Sequence, residues 1–509
     1  MKPNILLITL DQFRADALSV AGHPVVLTPN LDLLAKQSVR FKRHYSQSAP
    51  CAPGRASLYT GMYQMNHRVV FNGTPLEDRF DNIARLGQRA GYEPALFGYT
   101  DSALDPRTTD DPKDPRLFSY EGVLPGFTVE LDLVGAQTPW LENLSQHGYD
   151  LPRATPPGTD TSPIELGFAA LRSEPERPAE LSISAFLTDR LCRWIESRDD
   201  SWFAHASYMR PHPPYAAAGI WNDFYDPDDV DMPIIPATTT HPFHTFAMVN
   251  SYMQSPSDEA GIREMRAKYY GMVSEVDDQL GRIWDKLTEL DQWKNTIIIL
   301  TSDHGDQLGD HGLKDKGGYF EESYHVPALI RDPNQTEGWG SVVNEFTENV
   351  DIFPTLAHLL DQPVPLQCDG LPLTDFLAGR TPPVWRDAAT WEFDWRAIFI
   401  NDRASGACLN WPADRSLEQQ NLTVRRTDTA AYVQFGDGSW LAFDLATDPT
   451  WRTYLSNADE ILALAQSMLV WHTQNFDRTM TGLLIQDGGV GRWPTGVSWH
   501  SPSVATKRP

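Results

Sequence analysis

Continuous apolar runs bounded by polar residues indicate several buried strands along this chain. Asn4–Leu10 and Thr296–Thr301 are two such runs, and each leads within a few residues to an aspartate. Val39–Tyr45 alternates between apolar and polar positions, as a half-buried strand does. Residues 95–98, 202–208 and 326–330 add shorter strand patterns.

Helical periodicity separates these strands. Residues 28–37, with Thr28 as cap and Pro29 in the first turn, predict a helix, as do 56–62, 83–90, 183–197 and 352–360. The longest pattern covers residues 263–293, and its apolar positions lie three or four apart: Met265, Tyr269, Met272, Val276, Leu280, Ile283, Leu287 and Leu290. Such alternation predicts an α/β fold, with a large, mostly parallel mixed sheet sandwiched by helices.

The pattern changes near residue 385. Short strand patterns at 390–398, 431–434 and 440–443 precede a helical pattern at 458–473, which predicts a smaller α+β domain with an antiparallel sheet. We therefore divide the chain into a large α/β domain (1–385), a small domain (386–481) and a tail (482–509). The tail is either a frayed end or an arm for oligomerisation. Residues 101–180 are rich in Pro, Asp, Gly and Thr and predict an irregular insertion.

Composition narrows the function. The 509 residues carry a formal net charge of -26, which disfavours nucleic acid and anionic membranes as partners. Four widely spaced cysteines form no C-x-x-C pair and no disulfide framework. Six apolar-biased residues, 5–10, are too few for a signal peptide core, and no run approaches the roughly 18 apolar residues of a membrane span. We expect a cytoplasmic protein.

Two buried strand patterns end in similar polar residues. Asp11 and Gln12 follow the first, and Asp303 and His304 follow the second. Parallel strands collect ligands at their carboxyl ends, so two neighbouring strands would bring these side chains to one point. Buried carboxylates need a partner, and a divalent cation would serve. From the strands alone, a metal site and two loop-capping aspartates both remain open.

The segment from Cys51 to Gly61 reads Cys-Ala-Pro-Gly-Arg-Ala-Ser-Leu-Tyr-Thr-Gly. A tyrosine phosphatase loop needs five residues between cysteine and arginine, and only three separate Cys51 from Arg55, so that interpretation fails. The segment resembles the sulfatase signature C-x-P-x-R with its trailing Ala-Ser-Leu-x-Thr-Gly. Further segments have sulfatase-like sequences in the expected order, namely those around Asp11-Gln12, Thr28-Pro-Asn-Leu-Asp32 and Thr301-Ser-Asp-His-Gly-Asp306.

Within the sulfatase family, part of the alkaline phosphatase superfamily, the chain most resembles the phosphonate monoester hydrolase and promiscuous arylsulfatase branch. The segments that carry this likeness are Asp11-Gln-Phe-Arg-Ala-Asp16, Met65-Asn-His-Arg68 with Asn72, Gly98-Tyr-Thr100 and Asp105-Pro-Arg-Thr108. Arylsulfatases usually carry a second Asp at position 12, an Asn at 304 and a Gly-Lys-x-His segment. Here Gln12, His304 and Gly98-Tyr-Thr stand instead, which leaves strict sulfate specificity and the base that resets the nucleophile undefined.

The resemblance implies that Cys51 is oxidised to formylglycine by a formylglycine-generating enzyme. It implies a hydrolase of sulfate monoesters, phosphonate monoesters and phosphate diesters that works through a covalent sulfo- or phospho-enzyme hemiacetal. The implied residues fall into three groups: Cys51, Arg55, His212 and Lys316 as catalytic; Asn72, Tyr99 and Thr100 as substrate-binding; and Asp11, Gln12, Cys51, Asp303 and His304 as metal ligands.

Oxygen ligands with one imidazole favour manganese, with calcium next. The expected partners are a small anionic ester and a second copy of the chain, in a dimer or tetramer. Two alternatives remain: a phosphodiesterase of the same architecture that uses unmodified Cys51, and a non-catalytic anion-binding relative.

Overall fold

The computed structural model describes residues 2–150, 163–396, 415–477, 483–486 and 489–492. Fifteen strands are found in this part of the chain: β1 Asn4–Leu10, β2 Val39–Tyr45, β3 Ser48–Ala49, β4 Pro94–Gly98, β5 Thr128–Asp132, β6 Phe203–Tyr208, β7 Thr296–Thr301, β8 Ala328–Arg331, β9 Val342–Glu348, β10 Ala388–Asp394, β11 Asn421–Thr427, β12 Ala430–Phe435, β13 Trp440–Asp444, β14 Leu483–Gln486 and β15 Gly489–Arg492.

The same described residues contain twelve α-helices: α1 Pro29–Lys36, α2 Cys51–Thr60, α3 Gln64–His67, α4 Ile83–Arg89, α5 Thr138–Gln146, α6 Pro163–Arg172, α7 Ile183–Glu196, α8 Pro242–Ala247, α9 Glu259–Glu289, α10 Ile352–Leu359, α11 Thr374–Leu377 and α12 Ala458–Asn475. Single turns of 3-10 helix connect several of them.

A sheet of eight strands forms the centre of the molecule, in the order β5-β4-β6-β1-β7-β8-β2-β9. The pairs from β5 to β7 are parallel, β8 is antiparallel to both neighbours, and β2 and β9 are parallel again. Successive side chains of β1 face opposite sides, so Leu6 and Ile8 pack under α7 and α9 while Ile5 and Leu7 pack under α2 and α10. The predicted sandwich of a mostly parallel mixed sheet between helices is confirmed.

A second sheet has the order β13-β12-β11-β10-β3. Its four C-terminal strands are antiparallel, as predicted, and β3 adds in parallel to β10. Since Ser48–Ala49 lies just before Cys51, this sheet is attached directly to the segment that carries the candidate nucleophile. The domain boundary at residue 385 stays a prediction.

Several elements differ from the sequence-based expectation. The long helix begins at Glu259, because the Asp258 side chain accepts the Gly261 N–H (2.8 Å), and it ends at Glu289 instead of residue 293. The insertion predicted as irregular contains β5, α5 and α6. β5 is mostly exposed and polar, so it lacks the apolar pattern of a central strand.

The strands β9 and β11 lie where no strand was predicted. Residues 397–398 of one predicted strand, and the tail except for the β14–β15 hairpin, lie outside the described residues.

His44 gives the fold a pH dependence. On β2 it is fully buried between Thr347 Oγ1 and Asn349 Oδ1, each 2.9 Å from a ring nitrogen. Burial lowers the pKa of His44 to about 4, so the unfolded chain binds a proton near pH 6.5 that the folded chain refuses. The stability this neutral ring contributes is present above pH 6.5 and is lost as the pH falls towards 4.

We expect the pKa shift of His44 to cost about 2 kcal/mol of unfolding free energy at pH 5 relative to pH 7. The measurement is denaturant unfolding at both pH values for the wild type and His44→Gln, whose amide cannot titrate. The variant should lose less stability between pH 7 and 5. An identical pH dependence in the two proteins would contradict this assignment.

Candidate active site

Cys51 is the first residue of α2 and lines a deep cavity. The helix was predicted to begin at Ala56, but Gly54 N already donates to Pro50 O at 3.1 Å. The prolines made this helix start hard to predict from sequence, because proline usually breaks a helix. Pro53 is tolerated in the first turn, since an N–H at that position would have no intrahelical acceptor. The positive end of the helix dipole therefore lies at residue 51 itself.

Gly54 allows α2 to approach the strand ends closely. A Cβ at this position would lie 2.6 Å from Asp303 O and 2.9 Å from Ser48 O. Any larger residue would push the start of α2 away from both backbones. The glycine in the middle of the motif thus fixes the distance between Cys51 and the end of β7.

The carboxyl ends of β1 and β7 meet as the sequence predicted. These strands are parallel neighbours, with Thr9 paired to Thr301. Their following residues place Asp11, Asp303 and His304 around Cys51, so that one ligand atom from each of the four lies within 4.8 Å of the others. All four side chains are buried.

The chemistry of this cluster fits a divalent metal ion. His304 Nδ1 donates to Gly305 O at 3.0 Å. Nε2 therefore carries a free lone pair, which is directed at the centre of the cluster. Nε2 lies 3.3 Å from Cys51 Sγ, 3.7 Å from Asp303 Oδ2 and 3.9 Å from Asp11 Oδ1. Two carboxylates, a thiol-bearing side chain and a correctly oriented imidazole form a donor set for a cation.

The surroundings favour the ionised form of Asp11 and the neutral form of Cys51. Burial alone would raise the pKa of Asp11, but His212, Arg55, His304 and Lys316 together outweigh it and hold that pKa well below its usual range. Burial and the charge of Asp11 raise the pKa of the Cys51 thiol well above its usual value. Without a metal ion, the unmodified side chain is a protonated thiol.

Arg55 lies beneath the cluster, not at the cavity wall. Its Nε donates to Asp303 Oδ2 (2.9 Å) and its Nη2 to Asp11 Oδ2 (3.0 Å). Nη1 is directed at Ser207 Oγ, 2.8 Å away, and at Tyr99 O, 3.1 Å away. The fully buried guanidinium has protein acceptors at all three nitrogens and joins the two aspartates. The catalytic role of Arg55 stays a prediction.

Gln12 has contacts other than those predicted. Its Nε2 donates to Asp306 Oδ2 at 2.6 Å, and its Oε1 accepts from Lys316 Nζ at 2.7 Å. The amide oxygen therefore serves Lys316 in this arrangement. The metal-ligand role of Gln12 stays a prediction.

Lys316 and His212 are in direct contact. His212 Nδ1 lies 2.6 Å from Pro213 O and must donate to it, so Nε2 accepts from Lys316 Nζ at 2.8 Å. Burial and the charge of Lys316 lower the pKa of His212 to about 4. Burial would also lower the pKa of Lys316, but Asp315 and other nearby anionic groups reverse this and raise it. The resting pair is an ammonium beside a neutral imidazole, and the ammonium supplies the proton of the hydrogen bond between them.

The cavity above Cys51 has a volume of about 460 Å³. Asn72 and Tyr99 line it, and their substrate-binding role stays a prediction. Asn72 Oδ1 accepts from Ala52 N at 3.0 Å, and Tyr99 OH donates to Asp11 Oδ2 at 2.6 Å. Thr100 does not line the cavity, because its hydroxyl lies between Gly122 O and Leu124 N, 2.8 Å from each.

Other cavity residues were not found from the sequence. Asp101 is buried, has a φ of 49°, lies 3.5 Å from Arg55 Nε, and has a pKa raised by burial. It directly follows the Gly-Tyr-Thr segment, so one more residue of that motif would have included it. Phe168, Tyr120 and Tyr252 form an aromatic part of the wall. No local sequence signal distinguishes these three residues from other aromatic residues in loops and helices.

Comparison with known proteins agrees with this geometry. The Sulfatase family model matches residues 3–362. The chain therefore belongs to the sulfatase family, within the alkaline phosphatase superfamily, and is a hydrolase of ester bonds. No helix among the described residues is long and apolar enough to cross a membrane.

Individual relatives point to one branch of the family. The chain is 35% identical to the multifunctional alkaline phosphatase superfamily protein PehA of Trinickia caryophylli, over 94% of this chain and 97% of that protein. The crystal structure of a phosphonate monoester hydrolase of Agrobacterium radiobacter aligns with a TM-score of 0.85 at 39% identity, over 97% and 100% of the two chains. A phosphonate monoester hydrolase from Silicibacter pomeroyi aligns with a TM-score of 0.80 at 32% identity, over 97% and 99%.

Proposed function

We propose that this protein is a formylglycine- and metal-dependent hydrolase of sulfate monoesters, phosphonate monoesters and phosphate diesters. One observation carries the proposal. Cys51, within a sulfatase-type motif, lies at the floor of a cavity with its Sγ 3.3 Å from His304 Nε2 and 3.9 Å from Asp11 Oδ1. The reacting position and the candidate metal ligands are thus a single site.

Asp11, Asp303, His304 and residue 51 would hold the metal ion. When bound, it would lower the pKa of a coordinated hydroxyl and offset charge that develops on the ester. Oxygen donors with one imidazole favour manganese, with calcium as the second choice. Arg55 donates to Oδ2 of both aspartates, so both carboxylates are oriented before an ion arrives.

A hydrated aldehyde at position 51 would supply two hydroxyls on one carbon, one for attack on sulfur or phosphorus and one for the later release of the product. An ordinary thiol has no such second hydroxyl. This difference supports the modified residue over the unmodified one. Cys51 is only 5% exposed, so we expect the formylglycine-generating enzyme to act on the chain before it folds.

Lys316 would bind an oxygen of the sulfate or phosphonate group, since it presents a buried positive charge at the cavity wall. We assign the protonation of the leaving oxygen to the proton that lies between Lys316 Nζ and His212 Nε2. Asn72 and Tyr99 complete the polar wall, and Phe168, Tyr120 and Tyr252 offer an aromatic surface for the alcohol.

Mass spectrometry of the peptide that contains residue 51 tests the proposal. Protein coexpressed with a formylglycine-generating enzyme should carry an aldehyde that reacts with a hydrazide probe. Protein made without that enzyme should retain the thiol and lose turnover in proportion. Full activity with an intact thiol would instead establish the unmodified phosphodiesterase, and anion binding without turnover would establish a binding protein.

We also propose a cellular compartment and an oligomeric state for the enzyme. We expect a cytoplasmic homodimer or homotetramer, with the C-terminal tail as a candidate arm between subunits. Light scattering on full-length protein and on a chain truncated after residue 481 tests the arm. An unchanged particle mass after truncation would contradict it.

A further inference from the structure

Arg210 is a fully buried arginine directly before the Pro-His-Pro-Pro loop. Its Nη1 donates to His212 O and to Pro214 O, each at 2.9 Å. Both carbonyls lie on the C-terminal side of the His212 Cα, whereas Arg210 itself precedes His212 by two residues. The side chain of Arg210 therefore closes residues 210–214 into a hydrogen-bonded loop that carries the His212 ring.

A buried carboxylate holds Arg210 in turn. Glu174 Oε2 accepts from Arg210 Nη2, and Glu174 Oε1 accepts from Ile183 N at 2.9 Å, at the start of α7. Both partners of this ion pair are fully buried. A buried pair is costly to form and rigid once formed, because neither charge has water as an alternative partner.

The His212 ring faces reactive groups from this fixed backbone. Nε2 contacts Lys316 Nζ at 2.8 Å, and the ring stacks on Phe168 with centroids 6.1 Å apart. Phe168 lies on α6, and Glu174 follows that helix closely in the chain. The same short segment thus supports His212 from its ring side and, through Arg210, from its backbone side.

We propose that Arg210 is a positioning residue, which holds the His212 loop so that His212 Nε2 stays in contact with Lys316 at the leaving oxygen. This inference rests on the proposed function, since it concerns the same reaction. Arginine suits the position because its planar fork serves two carbonyls and a carboxylate at once. A lysine ammonium retains the charge but is shorter and lacks that fork.

The test is Arg210→Lys measured on two esters with the same sulfate or phosphonate group. The leaving group of one ester is a strongly acidic phenol, which can depart as an anion. The leaving group of the other is a weakly acidic alcohol, whose departure requires a proton. We expect kcat to fall about tenfold on the poor leaving group and less than about threefold on the good one, as for partial loss of acid catalysis. His212→Asn should show the same leaving-group dependence more strongly, and the double variant should lose no more than His212→Asn.

Arg177→Lys is the matched control. Arg177 is also buried near Glu174, but its Nη1 donates to Ala170 O at 2.9 Å and does not reach the His212 loop. Relative to the wild type, we expect Arg177→Lys to retain the same fraction of activity on both esters. Equal losses on both esters for Arg210→Lys, or multiplicative losses in the double variant, would overturn the inference.

A crystal structure of Arg210→Lys gives a readout that needs no turnover. The His212 ring should move so that Nε2 leaves hydrogen-bond distance of Lys316 Nζ. A ring that stays in place would overturn the positioning role even if the protein proved to hydrolyse other esters. Conversely, a displaced ring in a protein without esterase activity would support the positioning role and reject the proposed function.

Discussion

Cys51→Ala should abolish the hydrolysis of a sulfate monoester, a phosphonate monoester and a phosphate diester together. Each loss in kcat/KM should reach roughly 10⁴-fold or more, as for removal of a covalent nucleophile. The reason is geometric: the cluster of Asp11, Asp303 and His304 surrounds this one residue at the floor of one cavity. Three substrates with one common leaving group make the comparison independent of the alcohol.

Cys192→Ala is the control for this substitution. Cys192 lies half-buried on α7, away from the cavity lining, and should tolerate removal of its sulfur with less than about a twofold change in kcat/KM. If Cys51→Ala kept one of the three activities, the three reactions would not share a nucleophile. The wild-type values of kcat/KM on the same three esters would also rank sulfate against phosphonate.

Asp303→Asn should cost the protein both its metal ion and its activity. The substitution removes a charge from the donor set and takes a partner from Arg55, whose Nε lies 2.9 Å from Asp303 Oδ2. We expect metal content, measured by elemental mass spectrometry, to fall below about a tenth of one ion per chain after dialysis, with kcat lower by roughly 10³-fold or more. Manganese should restore the wild type after chelation and should not restore the variant.

Asp306→Asn separates loss of the metal from general damage. Asp306 is a buried carboxylate in the same loop, but it accepts from Gln12 Nε2 and lies outside the four-residue cluster. Burial and the neighbouring Asp315 raise the pKa of Asp306 to about 6, so its negative charge is held less strongly than that of an ordinary aspartate. A normal metal content in Asp303→Asn, or loss of the ion in Asp306→Asn, would contradict the ligand assignment.

Local patterns predicted the parts of this site that lie on regular elements. Asp11 and Asp303 could be brought together from sequence, because parallel strands end at one edge of a sheet and both residues follow buried strands closely. Cys51 and Arg55 were found from a motif of fixed spacing. Their partners could not be found in this way, since only the folded chain shows that Arg55 donates to two aspartates beneath the cavity.

Residues on loops and in the insertion were the ones missed. Asp101, Phe168 and Tyr252 reach the cavity from segments far apart in the chain, and Thr100 turns its hydroxyl to the backbone although its neighbours line the wall. Whether a loop side chain points into a cavity depends on one or two backbone angles, such as the φ of 49° at Asp101. No periodicity encodes such an angle.

The sequence by itself determined the layered sheet, the candidate nucleophile and the two aspartates, because hydrophobic periodicity and fixed spacing are local properties. The tertiary structure alone decided that His304 presents Nε2, that Gln12 Oε1 accepts from Lys316, and that Arg210 donates to His212 O and Pro214 O. Of these contacts, the Gln12–Lys316 bond joins segments 304 residues apart, and the others join near neighbours in the chain. In a buried region each polar group takes whichever partner the packing brings within reach, and no local pattern in the sequence specifies that partner.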